Sequence, residues 1–284
     1  MTEMKPVATA PGAAATPPSA RSLFWRLVWL YQGGCAAAIV ITLALVLFGL
    51  EFSLDQWLIM IAMMPIVVAI YNLSDVYLIV RHYRPIGAAL EYLDQGRAPP
   101  RDVTAAAVVR ALNLPFYSFM RVTFLHGPLV TVMVCIVLPA ANLIVDAGYE
   151  TWQITVFAAT TLFFASPTHA IFEYFGVSRA VVPTIVRLSE VLEGGLPPEY
   201  QARLISIRLK SKLLYLTIFV AALPLVFFAA SIIFKVQRMF VLEGIDPTAE
   251  MMMPLYIWIV GVVCICMLGG VMMALLTARE VSRS

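Results

Sequence analysis

Residues 81–117 read RHYRPIGAALEYLDQGRAPPRDVTAAAVVRALNLPFY, and this stretch decides the fold because part of its pattern occurs twice. Eight positions recur in one register, without a gap, 98 residues later (81 to 179). The first set is Arg81, Pro85, Leu90, Gly96, Pro99, Pro100, Arg110 and Tyr117, and the second is Arg179, Pro183, Leu188, Gly194, Pro197, Pro198, Arg208 and Tyr215. Proline and glycine set backbone geometry, and each copy lies between two long apolar runs. The sequence therefore predicts two parallel helix-connector-helix repeats.

The composition indicates a membrane protein. Hydrophobic residues make up 61% of the 284 residues and charged residues only 13%, against about 45–50% and about 25% in soluble domains. Six runs are long enough to cross roughly 30 Å of hydrocarbon as helices. They cover residues 27–49, 57–80, 123–145, 154–176, 213–234 and 254–277. We predict an all-α fold, a polytopic bundle of six transmembrane helices.

The charge distribution predicts the orientation of this bundle. Of the 19 lysines and arginines, only Lys235 and Arg238 fall in the loops on one side. The acidic residues of the same loops are Glu51, Asp55, Asp146, Glu150, Glu243, Asp246 and Glu250. Because arginine-rich loops stay in the cytoplasm, both termini are predicted to be cytosolic. Topology accounts for the basic excess, so no nucleic-acid partner is expected.

The chain divides into a tail, a membrane domain and an exit. Residues 1–20, rich in Ala, Pro and Thr, predict a disordered cytosolic tail. The membrane domain covers residues 21–276, with cytosolic connectors at 81–122 and 177–212. Each connector reads as two helices around a break, the first beginning at a proline and ending at a glycine; these residues are Pro85, Gly96, Pro183 and Gly194. The second helix is predicted to begin near residue 102 and near residue 198.

Asp75 and Glu173 are the acidic residues within the predicted spans, and they occupy equivalent positions in the two repeats. Acids inside a membrane are candidates for a functional role. Both precede an arginine by six residues, Arg81 and Arg179. We expect them to form structural ion pairs, either with those arginines or with a neighbouring helix. A coupling or proton-linked role is the alternative.

His126 and His169 are the other polar candidates within the spans, and both fall toward the predicted cytosolic side. We expect hydrogen-bonded packing histidines. Two imidazoles from different helices could instead ligate haem iron, and haem is retained as the alternative cofactor. All cysteines lie in apolar runs and predict small core side chains, so no metal ligand is predicted; they are Cys35, Cys135, Cys264 and Cys266.

The last apolar run continues into a polar exit at residues 277–284, TAREVSRS. Arg279, Glu280 and Arg283 in this exit resemble the start of the HAMP signal-relay module, and the prolines and glycines of the internal connectors follow the same scheme. Six helices with such an exit resemble the N-terminal membrane segment of HAMP-coupled class III adenylate and guanylate cyclases of bacteria. The resemblance implies a bacterial inner membrane, a cytosolic output domain beyond Ser284 and no catalytic residue within this segment.

We therefore predict a membrane sensor or regulatory domain. In this prediction a ligand or a membrane property changes helix packing, and the sixth helix relays the change to the output domain. The relay implies a homodimer, and the short outer loops favour a lipophilic ligand from the bilayer. No phosphate loop, catalytic triad or HExxH motif occurs. A small transporter with parallel repeats is the alternative, and a b-type haem protein is a further one.

Overall fold

The computed structural model describes residues 18–50, 52–205 and 223–281, and every regular element in these ranges is helical. The α-helices are α1 (Ala20–Gly49), α2 (Leu54–Asp94), α3 (Arg101–Arg121), α4 (Gly127–Val145), α5 (Thr151–Thr160), α6 (Ser166–Glu190), α7 (Pro198–Gln201), α8 (Leu223–Leu242) and α9 (Ala249–Val281). Two π-helical segments, Val122–His126 and Thr161–Ala165, join α3 to α4 and α5 to α6. The disordered tail predicted for residues 1–20 falls mostly outside the described ranges.

Four helices in the described ranges are long and apolar enough to cross a membrane, where six were predicted. They are Ala20–Val40, Leu54–Asp94, Arg101–Val145 and Thr151–Glu190. The predicted fifth span begins within residues 206–222, outside the described ranges. The sixth predicted span lies in α9, whose apolar part Ala249–Gly261 is followed by helix as far as Val281. The chain has the architecture of a multi-pass membrane protein.

The repeated prolines lie inside long helices, so the predicted helix starts at Pro85 and Pro183 were wrong. A capping box at Ser53 begins α2, which continues through Pro85 to Asp94, and α6 continues through Pro183 to Glu190. A proline removes one backbone hydrogen bond and disfavours a helix interior. Packing overrides that cost here, because Leu90 and its repeat partner are completely buried.

The repeated glycines lie where the chain turns after each long helix. Gly96 has a φ of 69° and Gly194 a φ of 72°, in the left-handed region that glycine adopts without strain. After the turns, α3 begins at Arg101 and α7 at Pro198, close to the predicted starts, but α7 ends at Gln201, whereas a helix continuing into the next span was predicted. The first connector is therefore a complete helical hairpin. The second is described only as far as residue 205. We call the end of the bundle that carries these turns the connector end.

Contacts at the connector end tie three helices together. The carboxylate of Asp94 in α2 accepts a hydrogen bond from the backbone N–H of Ala20 (2.9 Å) and pairs with Nη1 of Arg187 in α6 (2.8 Å). The hydroxyl of Tyr83 donates to the carbonyl of Ala20. A carboxylate at a helix N-terminus is also favoured by the helix dipole. The start of α1 is thereby fixed to α2 and α6.

Two apolar cores lie toward opposite ends of the bundle, with polar residues between them. The core at the connector end includes Leu27, Leu90, Ala111 and Leu188, and the other core includes Met60, Val134, Leu138 and Phe157. Along α2, Asp75 lies between Met60 and Leu90, and Glu173 has the same place along α5 and α6. The helices therefore place their buried charges in one layer.

Candidate functional site

Arg121 joins the two buried acids. Its Nη1 lies 2.9 Å from Oδ1 of Asp75, and its Nη2 lies 2.5 Å from Oε2 of Glu173. All three side chains are at most 5% exposed. The expected ion pairs are thus present and the partner is on a neighbouring helix, whereas Arg81 and Arg179 are exposed. The sequence placed Arg121 in the first connector and gave no sign that it reaches the acids.

The positions of the acids follow from the repeat. Asp75 in α2 and Glu173 in α6 are equivalent by the 98-residue offset, and α3 packs between these two helices. One arginine at the end of α3 can therefore reach both. Two carboxylates and one guanidinium leave a net charge of −1 in a buried site when the histidines are neutral. Buried charges need partners or a counter-ion.

Glu173 has further support from polar and aromatic side chains. The hydroxyl of Ser118 donates a hydrogen bond to Oε2 of Glu173 (2.8 Å), the same oxygen that Arg121 contacts. The ring of Tyr31 lies beneath the guanidinium of Arg121, with 4.1 Å between Cζ and the ring centroid. This cation–π contact favours the charged arginine in a site without solvent. Sequence analysis missed both Ser118 and Tyr31, because their role depends on which helix faces meet.

Each of the two histidines contacts one of the two acids. Nε2 of His126 lies 2.9 Å from Oδ1 of Asp75, and Nε2 of His169 lies 3.0 Å from Oε1 of Glu173. Both contacts have ion-pair distances without hydrogen-bond angles. Nε2 of His126 therefore has no hydrogen-bond partner, and the buried Nδ1 of the same ring also has none among the described residues. The expected polar contacts of the histidines exist, but they leave hydrogen-bonding capacity unused.

Tyr71 is the repeat equivalent of His169, and the two rings flank His126. The ring centroid of Tyr71 lies 4.5 Å from that of His126, and that of His169 lies 6.4 Å from it. The hydroxyl of Tyr71 donates to the backbone carbonyl of His126 (3.0 Å). Each repeat thus contributes a ring and, one helical turn later, an acid. The end of α3 contributes Arg121, and the π-helical segment that follows it contributes His126.

The first π-helical segment carries His126, and the second leads directly into α6, which carries His169. Each is followed by a proline, Pro128 or Pro167, whose ring would clash with a carbonyl four residues earlier in a regular α-helix. A wider π-helical turn relieves that clash, and such turns are frequent at functional sites. The two segments pack closely, since Ser166 Oγ donates to the carbonyl of Val122 (3.1 Å). A Cβ added at Gly127 would lie 2.2 Å from the same Oγ.

A cavity of about 100 Å³ lies against the two histidines. Apolar side chains of α1, α2, α4 and α5 form most of its wall, including Ile39, Val67, Leu138 and Phe157. Its polar lining includes Cys35, His126 and His169, and we call these three residues the cavity floor. The thiol sulfur and one nitrogen of each ring lie within 4.8 Å of one another. Cys35 was predicted to be a small core side chain, and no sequence motif links it to the histidines.

No family model, curated protein or solved structure matches this chain. The resemblance to the membrane segment of HAMP-coupled cyclases therefore stays a prediction. The predicted relay residues lie at or near the connector end, away from Asp75, Arg121 and Glu173, which we call the charged cluster; they are Pro85, Gly96, Pro183 and Gly194. Arg279 and Glu280 lie in α9, and Arg283 lies outside the described residues.

Proposed function

We propose that this chain is a membrane sensor or regulatory domain that relays a signal to a cytosolic output domain. The observation that carries the proposal is the position of Arg121, which joins α2, α3 and α6 beside a cavity. A molecule in the cavity would contact His126 and His169, which contact the two acids held by Arg121. Packed interfaces of this kind switch between discrete arrangements. Binding that favours one arrangement would shift the population of all three helices.

Continuous helices support the relay of such a shift. From Asp75, α2 continues as helix to Asp94, and from Glu173, α6 continues to Glu190. The whole of α2 has 41 residues, about 60 Å of helix, or twice the thickness of the hydrocarbon core. The backbone stays helical along both paths, through Pro85 in α2 and through Pro183 in α6. A change at the charged cluster would therefore reach the connector end.

The last helix, α9, suits a sensor that transmits its signal through the C-terminal end of the chain. The backbone of α9 is helical without interruption from Ala249 to Val281, through Arg279 and Glu280. We propose that this helix continues into a HAMP-like coil between two copies of the chain, and that a nucleotide cyclase is the output. The cytosolic orientation and the bacterial inner membrane belong to the same proposal.

The apolar cavity wall favours a lipophilic ligand. An apolar cavity of about 150 Å³ can hold benzene, while a drug-sized ligand needs about 300 Å³ or more. The cavity of about 100 Å³ therefore suits the end of an acyl chain or a similarly small apolar group. We propose that such a group enters from the bilayer.

A transporter built from parallel repeats is the second candidate. The observation that favours it is the meeting of the equivalent acids Asp75 and Glu173 between the repeats, because many transporters bind substrate at a repeat interface. Arg121 contacts both acids, however, so a substrate cation would compete with it for them. A b-type haem protein is the remaining alternative, and the absence of a Soret band from the purified chain would exclude it.

Filling the cavity tests the sensor proposal. Ala38 lines the cavity, and Ala37, the preceding residue of α1, is exposed. Ala38→Leu and Ala37→Leu therefore add the same side chain inside and outside. In the full chain in lipid nanodiscs, we expect Ala38→Leu to change hydrogen–deuterium exchange in the turns at 95–100 and 191–197. Equal exchange in both variants and the wild type would contradict the relay. Substrate uptake into proteoliposomes would favour the transporter instead.

A further inference from the structure

We propose that the cavity floor, Cys35, His126 and His169, binds a divalent metal ion of the zinc class. The three side chains come from α1, the first π-helical segment and α6, and their ligand atoms lie within 4.8 Å of one another. Bond lengths of about 2.0–2.1 Å to nitrogen and about 2.3 Å to sulfur place tetrahedral ligand atoms roughly 3.3–3.6 Å apart. Adjustments of about 1 Å in these side chains would therefore close the site around an ion.

The surroundings of the histidines match those of metal ligands. A histidine bound to a metal almost always directs its other ring nitrogen to a carboxylate or a carbonyl. Here Nε2 of His126 lies 2.9 Å from Asp75 and Nε2 of His169 lies 3.0 Å from Glu173, at hydrogen-bond distances although not at hydrogen-bond angles. That arrangement leaves Nδ1 of each ring for the ion. Arg121 in turn holds both carboxylates.

An independent observation is the unused hydrogen-bonding capacity of His126. This side chain is 2% exposed, and its Nδ1 has no hydrogen-bond partner among the described residues. Buried polar atoms are rarely left without a partner in native proteins, and a bound ion can supply the partner that such an atom lacks. A bond from Nδ1 to a metal ion would remove this deficiency.

Charge balance favours a divalent ion. Asp75, Glu173 and Arg121 leave a net charge of −1, and coordination by Cys35 adds a second negative charge, because a coordinating thiol is deprotonated. Cys35 releases its thiol proton to the solvent when the metal ion binds. An ion of charge +2 makes the buried site neutral, whereas a monovalent ion leaves a charge that is costly to bury.

The ligand set selects the class of metal. Thiolate and imidazole suit zinc and related transition metals, whereas magnesium and calcium require oxygen ligands. Three protein ligands leave a fourth position open, as in catalytic zinc sites, and water or a ligand in the cavity would take it. The cavity volume of about 100 Å³ is too small for a porphyrin, since even drug-sized ligands need about 300 Å³.

Cobalt binding tests the site, because tetrahedral Co²⁺ reports zinc sites by colour. The purified full chain in nanodiscs is titrated with Co²⁺, displaced with Zn²⁺ and assayed for bound metal by mass spectrometry. We expect one ion per chain, a thiolate-to-cobalt absorption band and displacement by Zn²⁺. Cys35→Ser should abolish the band and weaken binding at least tenfold. Cys135→Ser and Cys264→Ser, at exposed cysteines, should change neither.

Several outcomes would overturn the proposal. These are no binding above empty nanodiscs, binding that Cys35→Ser leaves unchanged (an adventitious ion only), or a Soret band. If His126→Ala fails to fold, two measurements still test the site: cobalt binding by Cys35→Ser, and the change in thermal unfolding temperature when Zn²⁺ is added. Zn²⁺ should stabilise the wild type and not Cys35→Ser, because only the wild type has the complete ligand set. Metal binding does not depend on the signalling proposal, because the experiment measures the ion and not the relay.

Discussion

Asp75 and Glu173 occupy equivalent positions in the two repeats, and they contact opposite ends of one guanidinium, that of Arg121. This relationship joins the two halves of the described bundle at a single side chain. It also places two acids, an arginine and two histidines within one buried layer.

Removal of Arg121 should destabilise the chain strongly. Arg121→Gln leaves two buried carboxylates without their cation, and breaking a buried ion pair in this way costs about 3–5 kcal/mol. The measurement is chemical or thermal unfolding in detergent. Arg81→Gln is the matched control, because Arg81 is exposed and surface changes usually stay within about 0.5 kcal/mol. Equal stability of the two variants would show that Arg121 does not hold the acids.

The two acids should differ in their contribution to stability. Glu173 accepts hydrogen bonds from Ser118 and Arg121, whereas neither oxygen of Asp75 has a hydrogen-bond partner among the described residues. Loss of hydrogen bonds to a charged group costs about 1.5–3 kcal/mol. We therefore expect Glu173→Gln to lower the free energy of unfolding more than Asp75→Asn does. The reverse order would contradict the geometry of the cluster.

Two adjacent glycines in α1 should respond oppositely to alanine. A Cβ at Gly34 would lie 2.9 Å from Nε2 of His169 and 3.3 Å from Cγ of Glu173, whereas a Cβ at Gly33 meets no described atom within 4 Å. Overpacking costs about 1–3 kcal/mol, so Gly34→Ala should destabilise the chain. Gly33→Ala should stabilise it by up to about 1 kcal/mol, because alanine favours the helix. Unfolding of both variants in detergent measures the difference, and a shared sign would refute it.

Tyr149, in the loop between α4 and α5, should make the chain sensitive to alkali. Its hydroxyl donates to the carbonyl of Gln56 (2.5 Å), and burial raises the pKa of Tyr149 to about 12 from its ordinary value of 10.0. The folded state thus favours the protonated form, so this contribution to stability is complete below pH 10 and is lost between pH 10 and about 12.

Comparison with Tyr149→Phe measures this contribution. The variant lacks the phenol, so the difference in unfolding free energy between it and the wild type should shrink over this pH interval. At neutral pH the variant should lose about 1 kcal/mol with the hydrogen bond. A difference that stays constant from pH 9 to pH 12 would contradict the assigned pKa.

Much of the fold could be predicted from composition and periodicity. The apolar excess requires a membrane or an equivalent environment, and four of the predicted runs lie in helices able to cross one. Gly96 and Gly194 mark turns because only a residue without a Cβ enters the left-handed region freely. The helix starts predicted at Pro85 and Pro183 were wrong. Proline disfavours a helix interior, but the packing of buried neighbours such as Leu90 keeps the helix continuous through it.

The sequence by itself determined the helical membrane class, the repeat, and Asp75, Glu173, His126 and His169 as the buried polar candidates. The tertiary structure alone decided that Arg121 is the shared partner and that Cys35 lies beside the histidines. Spacing along one helix predicts only pairs on one face, as for His169 and Glu173, four residues apart. Contacts between helices depend on their relative rotation and depth, which the packing of all the helices sets together.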